Sequence, residues 1–202
     1  ESARHEEIHS VRINRIDHLA LAVDSIDAAL PFFTEVLGLQ VTNTDVEEGQ
    51  GVVVAFLPVG DSEIELIEPV HDDSGVARFL RGRGPGMHHI CLEVDDMDAA
   101  LERLKTHEVR LIDDQPYIGT GGRRIVFIHP KAAHGVLVEL YEKLPGGNGS
   151  ANGRSRFAGR LPGRDELRAN LDELRQAMVA RGRVMAAGTR GFWGGLRRGR
   201  NP

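Results

Sequence analysis

The chain has 202 residues, 41% hydrophobic and 27% charged, enough to bury a sizeable core in one domain or two small ones. No apolar run approaches the roughly 18 residues of a membrane span, and nothing at the start reads as a signal peptide, so the expectation is a cytoplasmic enzyme or binding protein with no membrane partner. The net charge of -5 hides an asymmetry: residues 1–143 carry 26 acids and 13 bases, residues 144–202 carry 4 acids and 12 bases. So acidic a core argues against nucleic acid, whose binding requires neutralising phosphates.

Residues 1–14 are polar and read as a frayed arm. From residue 16 to 23 the alternation predicts a strand, with His18, Ala20 and Ala22 on one face and Leu19, Leu21 and Val23 on the other. Asp24 or Ser25 can cap a following helix that carries Leu30, Phe33 and Leu37 at helical spacing and ends at Gly38. Pro31 lies beyond the first turn, so a late helix start or a kink is expected. A second strand begins at 39–42, 45–51 reads as an acidic turn, and Val52–Val59 and 63–67 are strands joined by Gly60-Asp61-Ser62. Residues 71–86 form a connector with a short helix through Val76, Phe79 and Leu80.

The order then begins again. Gly86–Val94 is a strand, 96–107 a helix, 109–112 a strand, 113–122 a loop, Arg123–Ile128 a strand, 129–135 a turn and 136–141 a strand. Residues 144–164 read as a linker. Residues 165–202 form a basic extension whose first part, 165–187, predicts a helix with Leu167, Leu171, Leu174 and Met178 in a packing stripe. The lone cysteine, Cys91, excludes an intramolecular disulfide and reads as a small buried hydrophobe.

The two halves are copies. Asp17-His18 starts the first strand of one and His88-His89 the first strand of the other, 71 positions later, and each strand is followed by Asp-x-x-Asp-Ala-Ala-Leu. Parity selects His89 over His88 as the counterpart of His18. Glu65 and Glu139 correspond on the last strand of each half. Two imidazoles and two carboxylates from strands curving around one cleft suit a divalent ion such as Co, Mn, Ni, Zn or Fe. The fold expected is α+β, with paired βαβββ modules (about 14–70 and 86–143) forming a curved mixed sheet around a metal cleft.

The runs 17–23, 64–69 and 86–90, and above all Phe127-Ile128-His129-Pro130-Lys131-Ala132-Ala133-His134-Gly135-Val136-Leu137-Val138-Glu139-Leu140, resemble the methylmalonyl-CoA epimerase family of the glyoxalase or vicinal-oxygen-chelate superfamily. The resemblance implies metal ligands at His18, Glu65, His89 and Glu139, with Co preferred. It implies two acid/base groups, Glu139 and a glutamate of the turn between the second and third strands, for which Glu48 is the first choice and Glu47 the second. It further implies a coenzyme A thioester substrate, epimerisation at C2 through a metal-stabilised enolate, and a homodimer. Arg123, Arg124 and Lys131 are candidates to meet the phosphates of the substrate, while His129, His134 and His71 read as structural. The alternatives are another superfamily enzyme, a lyase or dioxygenase, or a non-catalytic small-ligand-binding protein of the same fold.

Overall fold

The computed structural model describes residues 11–119, 122–144 and 164–185. The expected N-terminal arm up to residue 10, most of the linker and the end of the chain from 186 lie outside the described residues.

Eight strands form one mixed sheet: β1 (Ile13–Ala22), β2 (Asn43–Glu47), β3 (Val52–Val59), β4 (Ser62–Pro69), β5 (Gly86–Val94), β6 (Tyr117–Gly119), β7 (Arg123–Ile128) and β8 (Leu137–Lys143). Their spatial order, β2-β3-β4-β1-β5-β8-β7-β6, reads the same way outward from the centre for both halves. Within each half the first and last strands are parallel neighbours, β1 with β4 and β5 with β8. The halves join through the antiparallel pair β1–β5. This is the curved, mixed sheet of two βαβββ modules.

Alternation divides the side chains between two faces. On the outer face, α1 (Ile26–Pro31) buries Ile26 and Leu30 against Val53, Ala55, Leu57 and Leu66. In the second module, α3 (Met97–Thr106) does the same with Met97 and Ala100 against Val126 and Leu140. On the inner face, α2 (Gly75–Arg83) packs Val76, Phe79 and Leu80 on Ala20, Ala22, Val52, Val54 and Ile67. Oxygens of Ser25, Ser74 and Asp96 accept the backbone N–H three residues on and so cap these helices.

Three elements differ from expectation. The first helix keeps its regular form only to Pro31, which has no N–H to give, and Phe32–Val36 then widens into a π-helical turn closed by Leu37 N–H to Phe32 O at 3.1 Å. The second strand is Asn43–Glu47 rather than 39–42, so the acidic segment is paired as far as Glu47 and the turn shrinks to 48–51. In the second module, 109–112 contributes one bridge, Leu111 to Ile128, and the strand equivalent to β2 is Tyr117–Gly119, inside the segment read as a loop.

A last helix, α4, spans Arg164–Met185. Leu167 and Leu171 enter the outer core of the first module beside Ile26, Leu30 and Val53, and Leu174 packs against it. Among the described residues no helix is long and apolar enough to cross a membrane.

Candidate metal centre

The parallel pairing of each module places Ala20 opposite Glu65 and Cys91 opposite Glu139. Ala20 follows His18 by two residues and Cys91 follows His89 by two, so each imidazole shares the inner face with the carboxylate of its own module. The seam β1–β5 then brings the modules together.

Three ligand atoms converge there. His18 Nε2 lies 3.1 Å from His89 Nε2, His89 Nε2 lies 3.3 Å from Glu139 Oε2, and His18 Nε2 lies 3.9 Å from the same oxygen. An ion bound at about 2.1 Å separates its ligands by about 3.0 Å at right angles and about 3.4 Å at tetrahedral angles, so the two shorter spacings match and the third fits a wider angle. All three residues are buried, and the set is able to hold a divalent ion. Glu65 is at the edge of this centre, with Oε1 3.5 Å from His18 Nδ1 rather than facing Nε2.

The electrostatics follow from packing charges without water. Burial pulls His18 down, but Glu65, Asp17 and Glu139 outweigh it and raise the imidazole to about 9. Burial pushes Glu139 up, and the hydrogen bond from His89 together with both imidazoles brings it below its ordinary value. Asp17, His18 and Cys91 form a second set of potential ligands. Its thiol suits that role poorly, since burial and the charges of Glu139, Asp17 and Glu65 push Cys91 well up, and a neutral thiol is a weak ligand.

The two glutamates of the β2–β3 turn differ in position. Glu47 pairs with Val52, an inner-face residue, and is half-buried; Glu48 is exposed in the turn itself. Tyr117 of the second module stacks on Phe127, and the charges of both Glu139 and Glu47 reach its hydroxyl.

The phosphate-binding candidates lie elsewhere or are engaged. Arg123 contacts Asp17 at 3.3 Å and lies over the Tyr141 ring, and Arg124 spans Asp98 and Glu142. Lys131 is exposed. His129 serves a turn, its Nδ1 accepting the Lys131 N–H at 3.0 Å.

Residues 17–127, more than half of the chain, match the Glyoxalase/Bleomycin resistance protein/Dioxygenase superfamily. The chain belongs to this superfamily. Within it the chain is closely related to the methylmalonyl-CoA epimerases. It is 40% identical over 129 residues to the mitochondrial methylmalonyl-CoA epimerase of Homo sapiens, a match covering 63% of this chain and 73% of the human one. The ethylmalonyl-CoA/methylmalonyl-CoA epimerase of Cereibacter sphaeroides is 39% identical, with 63% of this chain and 97% of that one covered. A Streptomyces coelicolor methylmalonyl-CoA epimerase variant solved with 2-nitronate-propionyl-CoA superposes with a TM-score of 0.60 and 39% identity, covering 65% of this chain and 96% of that one.

Beside His18 lies a group that the sequence pattern did not single out. Glu63 pairs with His18 across β1 and β4, is buried, and its Oε2 has no hydrogen-bond partner among the described residues. Burial and the charge of Glu65 push its carboxyl up to about 7. The signal was present, because Glu63 precedes Glu65 by two residues and therefore shares its face. The second module has Leu137 at the corresponding register, paired with His89.

Proposed function

We propose that this chain is a metal-dependent methylmalonyl-CoA epimerase. The observation that carries the reading is the buried convergence of His18, His89 and Glu139 at the module seam of a chain about 40% identical to such enzymes. His18, Glu65, His89 and Glu139 are assigned as metal ligands, with Co first and Mn, Ni, Zn or Fe as alternatives. A divalent ion held by this set supplies Lewis-acid polarisation of the substrate oxygens.

The chain supplies the proton transfers. The C2 hydrogen, between a thioester and a carboxylate, is weakly acidic, and inversion requires removal from one face and return to the other. Glu139, kept ionised by its imidazole neighbours, is one acid/base; with two carboxylate oxygens it can hold the ion through one and exchange a proton through the other. The second comes from the β2–β3 turn. Glu47 is favoured by its inner-face register, and Glu48, the first choice from sequence, is the alternative. Holding C2 between two fixed carboxylates spares the cost of bringing base and substrate together at each step. We also assign a homodimer, supported by the exposed apolar turn Phe32, Val36 and Leu37.

The test is isotopic. Metal-loaded protein given one methylmalonyl-CoA epimer in deuterated water is expected to place deuterium at C2 and to equilibrate the epimers. Neither change with any of the five metals would sink the proposal.

A further inference from the structure

The antiparallel seam is not a regular ladder. Between Ile16–Leu92 and His18–Cys91, β1 advances two residues while β5 advances one, leaving Asp17 as the extra residue. Between Ala20–His89 and Leu21–Met87 the slip is reversed and His88 is extra. Consecutive strand residues normally face opposite sides, and a bulge re-aims one of them. In consequence Asp17 and His88 are both buried and each touches the histidine that follows it. The two sites are the same place in the repeat, 71 residues apart.

The contacts are equivalent in kind. Asp17 Oδ2 lies 3.3 Å from His18 Nδ1, and His88 Nδ1 lies 3.0 Å from His89 Nδ1. In both cases the partner meets the ring nitrogen away from the metal centre, while Nε2 faces inward. An imidazole whose Nδ1–H is donated to such a partner keeps its Nε2 lone pair for a metal.

We propose that Asp17 and His88 are a matched pair of positioning residues that fix His18 and His89 in the Nδ1–H tautomer, resting on the assignment of these two histidines as metal ligands. The pairing is chemically unequal. An anionic acceptor on His18 makes that ligand the more strongly donating one, whereas the partner of His89 is a second imidazole. Each partner is itself held from outside the centre. The Tyr141 hydroxyl, whose shorter contact is with Glu93, lies 2.9 Å from Asp17 Oδ1, Arg15 and Arg123 bond the same carboxylate, and Phe79 of α2 meets the His88 ring edge-on at a centroid distance of 5.1 Å. Glu65 Oε1, 3.5 Å from the same His18 Nδ1, is the competing acceptor.

The experiment is Zn(II) titration by calorimetry, with nitrogen-15 NMR of the imidazoles, on the full chain and four variants. His88→Phe keeps a ring against Phe79 but removes the acceptor, and His88→Asn restores one near the Nδ1 position. Asp17→Ala and Asp17→Asn make the same comparison for His18, and His88→Phe carries the test if the alanine variant does not fold. Loss of either acceptor is expected to weaken Zn(II) binding about 10- to 100-fold, with each asparagine recovering most of it. The wild type is expected to show Nδ1–H on both rings when zinc-loaded, and on His89 when metal-free. His88→Phe should shift metal-free His89 toward the Nε2–H form. Wild-type affinity and unchanged tautomers in both His88→Phe and Asp17→Ala would overturn this inference alone. Failure of the wild type to bind any divalent ion would instead overturn the metal assignment beneath it.

Discussion

Glu47 and Glu48 are adjacent residues with different surroundings, and their exchange for glutamine separates two geometries. Glu47→Gln is expected to lower kcat by at least 100-fold with metal content unchanged, because a general base contributes about 10²- to 10⁴-fold. Glu48→Gln, in the exposed turn, is expected to stay within about 3-fold of wild type by the same scale. Parallel kcat and metal measurements on the two variants decide between them, and the reverse order would return the role to Glu48. Glu93 gives a pH prediction. Burial would raise it, yet hydrogen bonds from Tyr141, Arg15 and Lys143 hold it at about 2. A depressed carboxylate stabilises the fold above its unfolded value near 4.5 and loses that contribution as pH falls toward 2. Glu93→Gln is therefore expected to cost about 1 kcal/mol at pH 7, after discounting for solvent, and to flatten the acid limb of the stability curve between pH 5 and 2. Urea titrations across that range check it. At this scale the sequence was readable wherever period and repeat coincided, as with His18 against His89 and Glu65 against Glu139. It was mute about Asp17 and His88, because a bulge breaks the alternation on which a face assignment depends.

Among the elements, α4 makes the clearest claim. Leu171 is fully buried in the first module's outer core, and Arg175 forks onto Glu68 with contacts of 2.9 and 2.8 Å and onto Asp27 at 3.0 Å. Glu68 also accepts the N–H of Ile26 at 2.8 Å, so the carboxylate that receives α4 also caps α1. Leu171→Ala is expected to cost about 2–4 kcal/mol in unfolding experiments. The metal site lies on the other face of the sheet, and Zn(II) affinity in the folded variant is expected to remain within about 3-fold, less than 1 kcal/mol. A stripe of four apolar residues predicted the helix, but a stripe does not name its receptor, which is assembled from α1, β2, β3 and β4. The short β6 was hidden for a related reason. Three residues ending in glycine carry little strand signal, and Tyr117 is held by Phe127 from a neighbouring strand.

For the molecule as a whole, metal binding is linked to folding. An ion that binds only the assembled centre stabilises the native state by about 2.7 kcal/mol at a free concentration 100 times its Kd. Chelator treatment is expected to lower the thermal midpoint, and Co(II) or Zn(II) to restore it in proportion to the logarithm of concentration. A midpoint indifferent to both would contradict a centre that spans the seam. Light scattering on the full chain tests the dimer, whose expected mass is twice 22.1 kDa.

The division of the sheet into a shared seam and two private outer faces has one more consequence. A substitution at the seam answers to both modules, because each imidazole is read against a ligand from the other copy. A substitution on an outer face answers only to its own half. The copies keep the Asp-x-x-Asp-Ala-Ala-Leu run after each first strand, yet they differ elsewhere. One carries Glu63 where the other carries Leu137, and α4 packs on the first module's outer core. The two halves share one centre while differing in what surrounds it.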